Sequence, residues 1–253
     1  MKPRHLGTVV LVLGLLLLAV GAYVLSGLPP RGQVRSLARL NPGSTGVMRE
    51  RAEEARKAGR RPRREQVWVP LPRISRSLIE AVLVAEDIRF FGHDGIDWEA
   101  LKESVERDLK EQRFARGGST ITQQLAKNLF FSTRKSPVRK LREAIVARWL
   151  EEDLSKRRIL ELYLNVIEWG DGIYGCEAAA RHYFDESAAD LDAQQAAGLA
   201  AMIPNPRRIN PARDAALYSR AQKRILWLMA RAGYVKQVVG GMGAEPPPVE
   251  DAE

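Results

Sequence analysis

Glu86-Asp87 and the run Gly117-Gly118-Ser119-Thr120-Ile121-Thr122-Gln123-Gln124-Leu125-Ala126-Lys127-Asn128 hold side chains whose types and spacing suit chemistry. Adjacent carboxylates at the end of a helix face the negative pole of its dipole and each other. Both effects disfavour ionisation and raise a carboxyl pKa, as a general base requires. The same pair could instead serve structure, bound to Arg89 or to the N-terminus of a neighbouring helix. In the second run two glycines free the backbone and Ser119 is a natural N-cap. Ser119, Gln123 and Lys127 recur at helical spacing and share one face. A helix N-terminus bearing a hydroxyl, the amides of Gln123 and Gln124 and an ammonium suits an anion such as phosphate. A plain capped helix would begin the same way.

Further along, Arg139-Lys140-Leu141-Arg142-Glu143 puts Arg139 and Glu143 one helical turn apart. An ordinary surface ion pair has this spacing. So does a set of cations on a diphosphate with Glu143 orienting them. Arg134 and Lys135 add two cations just ahead of that helix. Glu86 and Glu143 are 57 positions apart, and the sequence does not say whether they face one cleft.

The elements that must position these groups read as helix after helix. Ser77 and Glu80 form a capping-box pattern for a helix running to about Phe90. A second helix spans roughly 97–110, and the GGSTITQQ helix follows. Ser136-Pro137 opens the next one, with Val138, Leu141, Ile145 and Trp149 as its apolar stripe. Another starts at Ser155 and runs to Gly170-Asp171-Gly172, with Ile159, Leu160, Tyr163 and Leu164 as core. Helices over about 174–184, 191–202 and 212–232 complete the pattern, the last closed by Gly233. Residues 66–71 read as a short extended segment.

The chain has 253 residues and a formal net charge of +9, which implies an anionic partner: phosphorylated substrate, membrane surface or nucleic acid. The single cysteine, Cys176, excludes an intramolecular disulfide and a Cys-based zinc site. Residues 8–28 are apolar and uncharged, long enough to cross a bilayer and longer than the core of a signal peptide. Lys2 and Arg4 precede this span and Arg31, Arg35 and Arg39 follow it, so charge alone does not orient it. The expected organisation is a tail (1–7), an anchor (8–28), a basic connector that begins a small lobe (29–66), a catalytic domain (67–235) and a disordered Pro- and acid-rich tail (236–253).

Glu86-Asp87-x-x-Phe90-x-x-His93-x-Gly95, GGSTITQQLAKN, Arg139-Lys140-x-x-Glu143, Lys156-x-x-Ile159-Leu160-Glu161-x-Tyr163-Leu164-Asn165 and Arg207-x-x-Asn210-Pro211 occur in that order. Together they resemble the five signatures of the peptidoglycan glycosyltransferases, over about residues 45–232. The missing transpeptidase motifs, the VWVPL lead-in and the EWGDGIYG stretch point to the monofunctional biosynthetic branch. Ile96 stands where Phe is common, and Cys176 is unusual.

The resemblance implies a mainly α fold with a lysozyme-like large lobe, a small membrane-proximal lobe and one N-terminal transmembrane helix. It implies polymerisation of lipid II onto a growing lipid-linked glycan, forming β-1,4 links with inversion and releasing undecaprenyl diphosphate. Glu86 falls on the catalytic base, with Glu143 as the second catalytic glutamate. Ser119, Gln123, Gln124, Lys127, Arg134, Lys135, Arg139 and Lys140 fall on substrate and diphosphate contacts. Asp87, Phe90, His93, Gly117, Gly118 and Asn165 fall on structural positions, Asn165 and Glu161 bracing the cleft.

No resident cofactor and no metal ligand set is expected; Mg2+ or Mn2+ would accompany the diphosphate. The implied partners are the bilayer and other cell-wall synthesis or division proteins, not nucleic acid. The implied location is the cytoplasmic membrane, N-terminus inside and catalytic domain outside. An apolar patch including Trp68 would reach the bilayer. Two rivals share some features. A lytic transglycosylase or lysozyme-like hydrolase also needs a glutamate in a helical cleft, but no cation cluster. A membrane-anchored basic binding module explains the charge and the anchor alone.

Overall fold

The computed structural model describes residues 3–111 and 118–235, with side chains over 10–107 and 118–235. Gly117 and the expected disordered tail at 236–253 lie outside those residues, as do the first two residues of the expected 1–7 tail. The chain is mainly helical. Its helices are α1 (Pro3–Ser26), α2 (Arg31–Ser36), α3 (Gly46–Lys57), α4 (Arg76–Glu86), α5 (Trp98–Glu111), α6 (Ile121–Phe130), α7 (Pro137–Asp153), α8 (Lys156–Val166), α9 (Cys176–Phe184), α10 (Ala193–Met202) and α11 (Ala215–Arg231). Three short strands, β1 (Glu65–Gln66), β2 (Glu168–Gly170) and β3 (Ile173–Tyr174), form a small sheet in the order β1-β3-β2. β1 runs parallel to β3, and β2 antiparallel to it.

α1 is long and apolar enough to cross a membrane, and its side chains from Val10 to Leu18 are largely exposed. The core lies between two sets of helices. α10 packs on α4 and α11, and α6 packs on α7 and α8. Close approach in the first set depends on small residues: α10 reads AQQAAGLAAM, and a Cβ on Gly198 would overlap the Tyr218 hydroxyl of α11. In the second set Ile121, Leu125, Val146, Leu150, Ile159, Leu162 and Tyr163 are fully buried. Burying such side chains is worth about 1.5–3 kcal/mol each before conformational entropy is set against it.

Several local expectations change in three dimensions. α4 is capped by Ser75, whose Oγ accepts the Leu78 N–H, rather than by Ser77, and it ends at Glu86. Ser77 and Glu80 lie inside the helix, where Glu80 instead pairs with Arg76 at 2.6 Å. α8 stops at Val166, not at the glycines after it. The EWGDGIY stretch folds back as the β2–β3 hairpin because Gly172 and Gly175 take φ of 76° and 81°, open chiefly to glycine. A Cβ on Gly175 would also lie 2.8 Å from the Asn165 carbonyl. Of the extended 66–71 region only Gln66 enters the sheet, as the second residue of β1.

The expected stripe on α7 is not its core face. Glu143, Val146, Ala147 and Leu150 are buried there, whereas Leu141 is 50% exposed. α7 is packed on two sides, by α6 on one and by α1 and α2 on the other, so its apolar residues are split between faces. The 29–66 segment is folded onto the domain: Val34, Leu37, Val47 and Met48 are buried and α3 packs on α6. Trp68 is half-buried against the core beneath Arg158, 5.5 Å from the ring centroid, so it does not form an exposed patch. The exposed large apolar side chains beyond α1 include Ile88, Phe91, Trp98, Leu101 and Val105, the last three at helical spacing along α5.

Candidate active site

Glu86 is the last residue of α4, and Asp87, at φ −167° and ψ 76°, breaks the helix immediately after it. The two neighbouring carboxylates then part company. Asp87 is buried and accepts the Ile121 N–H at 3.0 Å, which ties the end of α4 to the start of α6. It also accepts from His93 Nε2 at 3.0 Å. His93 Nδ1 accepts the Gly95 N–H, so Nε2 must carry the ring proton. Phe90 is fully buried, edge-on to Phe91 and His93 and beneath the Lys156 ammonium. Asp87, Phe90 and His93 therefore build the turn that holds Glu86, and the helix-terminus role belongs to Asp87.

The cap of α6 is Thr120, not Ser119. The Thr120 hydroxyl accepts from the Gln123 N–H while Gln123 Oε1 accepts from the Thr120 N–H. This capping box turns Gln123 into the protein, where it is buried. Ser119 stays outside the helix and accepts from Lys140 Nζ at 2.7 Å. Gly118 has room for a Cβ, 3.4 Å from Leu101, so packing does not demand glycine there.

One residue beyond Gln123, Gln124 Nε2 donates to Glu86 Oε2 at 2.7 Å. Gln124 Oε1 accepts from the Tyr163 hydroxyl of α8 at 2.9 Å. Burial raises the Tyr163 pKa well above its usual value, with Glu86 and Asp87 adding to the effect, so the phenol stays a donor. With its oxygen held by Tyr163, the Gln124 amide must present N–H to Glu86. Sequence periodicity assigns Tyr163 to the core and misses this contact. A signal exists all the same, because a buried tyrosine hydroxyl needs a partner.

α7 brings the third set of groups. Ser136 caps it, and Glu143 is 3% exposed between Arg139 Nη1 at 3.3 Å and Lys140 Nζ at 3.4 Å. Arg139 Nη1 also donates to the Ser132 carbonyl at 2.8 Å, fixing the loop between α6 and α7. Neither Glu143 Oε1 nor Arg139 Nε completes a hydrogen bond, although both are buried. Such orphaned groups are costly in a finished core and suited to a site that meets a polar ligand. Arg134 and Lys135 are exposed on the same loop.

Lys127 joins the two glutamates electrostatically. Its ammonium pKa is lowered, first by burial, with Arg139 and Lys140 pushing the same way and Glu143 and Glu86 opposing. Both carboxylates therefore act electrostatically on one lysine. Among the described residues Lys127 has no ion-pair partner within 4.0 Å. The Glu86 carboxyl is shifted upward, chiefly by burial, with Asp87 adding to the shift; the Gln124 hydrogen bond and Lys127 hold it back. The result is a carboxyl of raised basicity under the electrostatic influence of a partly desolvated cation.

Asn165 is fully buried and braces the lead-in segment. Its Oδ1 accepts the Val69 N–H at 2.9 Å, and its Nδ2 donates to the carbonyls of Val69 and Glu161. Glu161 Oε2 accepts the Leu71 N–H at 2.9 Å, and Arg158 pairs with the same carboxylate. Asp87, His93 and Asp97 have ligand atoms within 4.8 Å of one another. Those atoms are already engaged: Asp97 takes a forked pair from Arg89, and Asp87 and His93 are bound as above. Their donor capacity is spent on the turn, and the set does not fit a metal ion.

The profile of a protein family described as Transglycosylase matches residues 52–231. The biosynthetic peptidoglycan transglycosylase of Dechloromonas aromatica is 47% identical over 218 residues, which is 86% of this chain and 94% of the relative. The protein of the same name from Chromobacterium violaceum is 44% identical over 211 residues, covering 83% and 92%. That of Methylobacillus flagellatus is 50% identical over 175 residues, covering 69% and 76%.

Proposed function

From a chain that belongs to the transglycosylase family, we propose a reaction in which Glu86 is the base and the α6–α7 cations hold a diphosphate leaving group. The protein is a peptidoglycan glycosyltransferase that polymerises glycan chains. The observation that supports the residue roles is buried Glu143 held between Arg139 and Lys140 with an oxygen still lacking a hydrogen bond, on the helix packed against α6, whose Gln124 binds Glu86.

In this reading the growing lipid-linked glycan is the donor and lipid II the acceptor. Glu86 removes the proton from the acceptor sugar hydroxyl, whose oxygen attacks the anomeric carbon of the donor. The new carbon–oxygen bond forms as the bond to the diphosphate breaks, inverting that carbon. Gln124, held by Tyr163, stabilises the ionised base. The departing diphosphate takes the electron pair and needs positive charge more than a proton. Lys127, Arg139 and Lys140 supply it within the site and Arg134 and Lys135 at its edge, with Ser119 beside Lys140. Glu143 keeps Arg139 and Lys140 in place until the diphosphate arrives. Gln123 acts through the capping box, setting the start of α6 rather than touching substrate. A Mg2+ or Mn2+ ion would enter on the substrate diphosphate, and the protein's own groups do the steps above.

A raised carboxyl by itself would also suit the acid of a glycan hydrolase. A hydrolase expels a neutral sugar oxygen and has no use for the cations. We further propose that α1 crosses the cytoplasmic membrane with its N-terminus inside. The exposed apolar side chains of α5 and the 88–91 turn would then rest against the bilayer. The test is incubation of the anchored protein with labelled lipid II in detergent. Polymer that lysozyme digests, made by the natural protein and absent with Glu86→Gln, is expected. Polymer from both proteins would remove Glu86 from the chemistry, and fragments released from preformed glycan would replace synthesis by cleavage.

A further inference from the structure

We propose that Arg142 is a positioning residue that locks the membrane helix α1 onto the site helix α7. It thereby favours substrate held in the bilayer over the same headgroup on a short, soluble chain. The inference rests on the function proposed above.

The last four carbonyls of any α-helix lack i+4 partners; here that of Val24 takes the Gly27 N–H at 3.4 Å and that of Tyr23 the Ser26 hydroxyl at 3.0 Å, and each has a second lone pair to offer. Arg142 Nε donates to the Val24 carbonyl at 2.9 Å, and Nη2 donates to that of Tyr23. The guanidinium lies 5.0 Å from the centroid of the Tyr23 ring, and a Cβ on Gly27 would overlap it. A fork of donors, a ring face and a glycine thus close on one side chain. Positive charge at this helix end also opposes the α1 dipole.

Arg142 directly precedes Glu143 and lies one turn from Arg139 on the same rigid helix. What holds the end of α1 therefore holds the diphosphate-binding face of α7. A second contact prevents rotation about the first. Arg31, at the start of α2, donates to Asp153 and Glu152 at 2.8 Å each and sits 5.1 Å from the Trp149 ring centroid. Between α1 and α2 run only Gly27-Leu28-Pro29-Pro30, whose prolines fix two φ angles. The anchor is thus a strut and not a tether. A strut fixes the height and tilt of the cations above the headgroups, which matters only when the substrate is itself in the membrane.

The test compares the natural protein with Arg142→Ala, Arg142→Lys and Gly27→Leu, the last crowding the clamp without removing charge. Each is reconstituted in bilayers and assayed with long-chain lipid II embedded there and with a short-chain, water-soluble analogue. Arg142→Ala and Gly27→Leu are expected to lose roughly ten- to hundred-fold in kcat/KM on the embedded substrate, the size of effect that misplacement produces. Activity on the soluble analogue should be unchanged, and Arg142→Lys should recover part of the loss. Equal losses on both substrates, or none on either, would overturn the proposal.

A measurement independent of activity separates it from the functional reading. Spin labels at Leu18→Cys in α1 and Ala189→Cys in the domain should give a narrow distance distribution, broadened by Arg142→Ala. An equally narrow distribution in the variant would also sink the proposal. No polymer from the natural protein, with the distributions as expected, would sink only the function on which the substrate preference rests.

Discussion

Replacing Gln124 by Leu separates the ionisation of Glu86 from its position. The variant keeps the bulk of the side chain and removes both the N–H that reaches Glu86 and the oxygen that holds Tyr163. A hydrogen bond to a charged group is worth about 1.5–3 kcal/mol. The bond favours the ionised carboxyl, so its loss raises further a pKa that burial has already lifted. On the acid limb, where rate follows the ionised fraction, each 1.4 kcal/mol is tenfold, so activity should fall about ten- to hundred-fold. At high pH, where Glu86 is ionised in both proteins, the two rates should converge. Tyr163→Phe leaves the Gln124 amide in place but unheld, a neutral hydrogen bond of about 1 kcal/mol, and should lower the acid-limb rate about fivefold. The assay is the pH dependence of kcat/KM for glycan polymerisation by the three proteins. An acid limb of Gln124→Leu that stays put or moves to lower pH would refute the reasoning. A loss of equal size at every pH would assign Gln124 to geometry instead.

Glu86→Gln should abolish polymerisation and yet not lower stability. The folded-state pKa of Glu86 is raised, so its contribution is present below the unfolded value, about 4.3, and is lost as pH rises through the folded one. The variant should accordingly melt higher than the natural protein at neutral pH, and the difference should close below pH 4. Glu143→Gln removes an influence that raises the Lys127 pKa, so the alkaline limb of the pH–rate profile should move to lower pH while turnover falls. An unmoved limb would uncouple the two residues. Asn165→Ala leaves the N–H and the carbonyl of Val69 without these partners, while the Glu161 carbonyl keeps its bond within α8, and should cost about 3 kcal/mol, or roughly 6–12 °C in Tm by thermal melting.

The apolar helix long enough to cross a membrane, the succession of helices, the basic character and the ordered signatures were set by the sequence alone. Each depends on local composition or on spacing along one element, such as the Ser136-Pro137 start of α7 or the uncharged run of α1. The glutamates and cations named from sequence include Glu143, Arg139 and Lys140, which pair on α7. Tertiary structure decided which of two neighbours does what. Asp87 is spent on the α6 terminus and His93, leaving Glu86 to Gln124, because only one of two adjacent side chains can point along the joint between α4 and α6. It likewise put Gln123 into a cap and Gln124 onto Glu86, a choice fixed by where Thr120 breaks the helix. The role of Tyr163 and the grip of Arg142 on α1 needed partners 39 and 118 positions away, distances no periodicity spans.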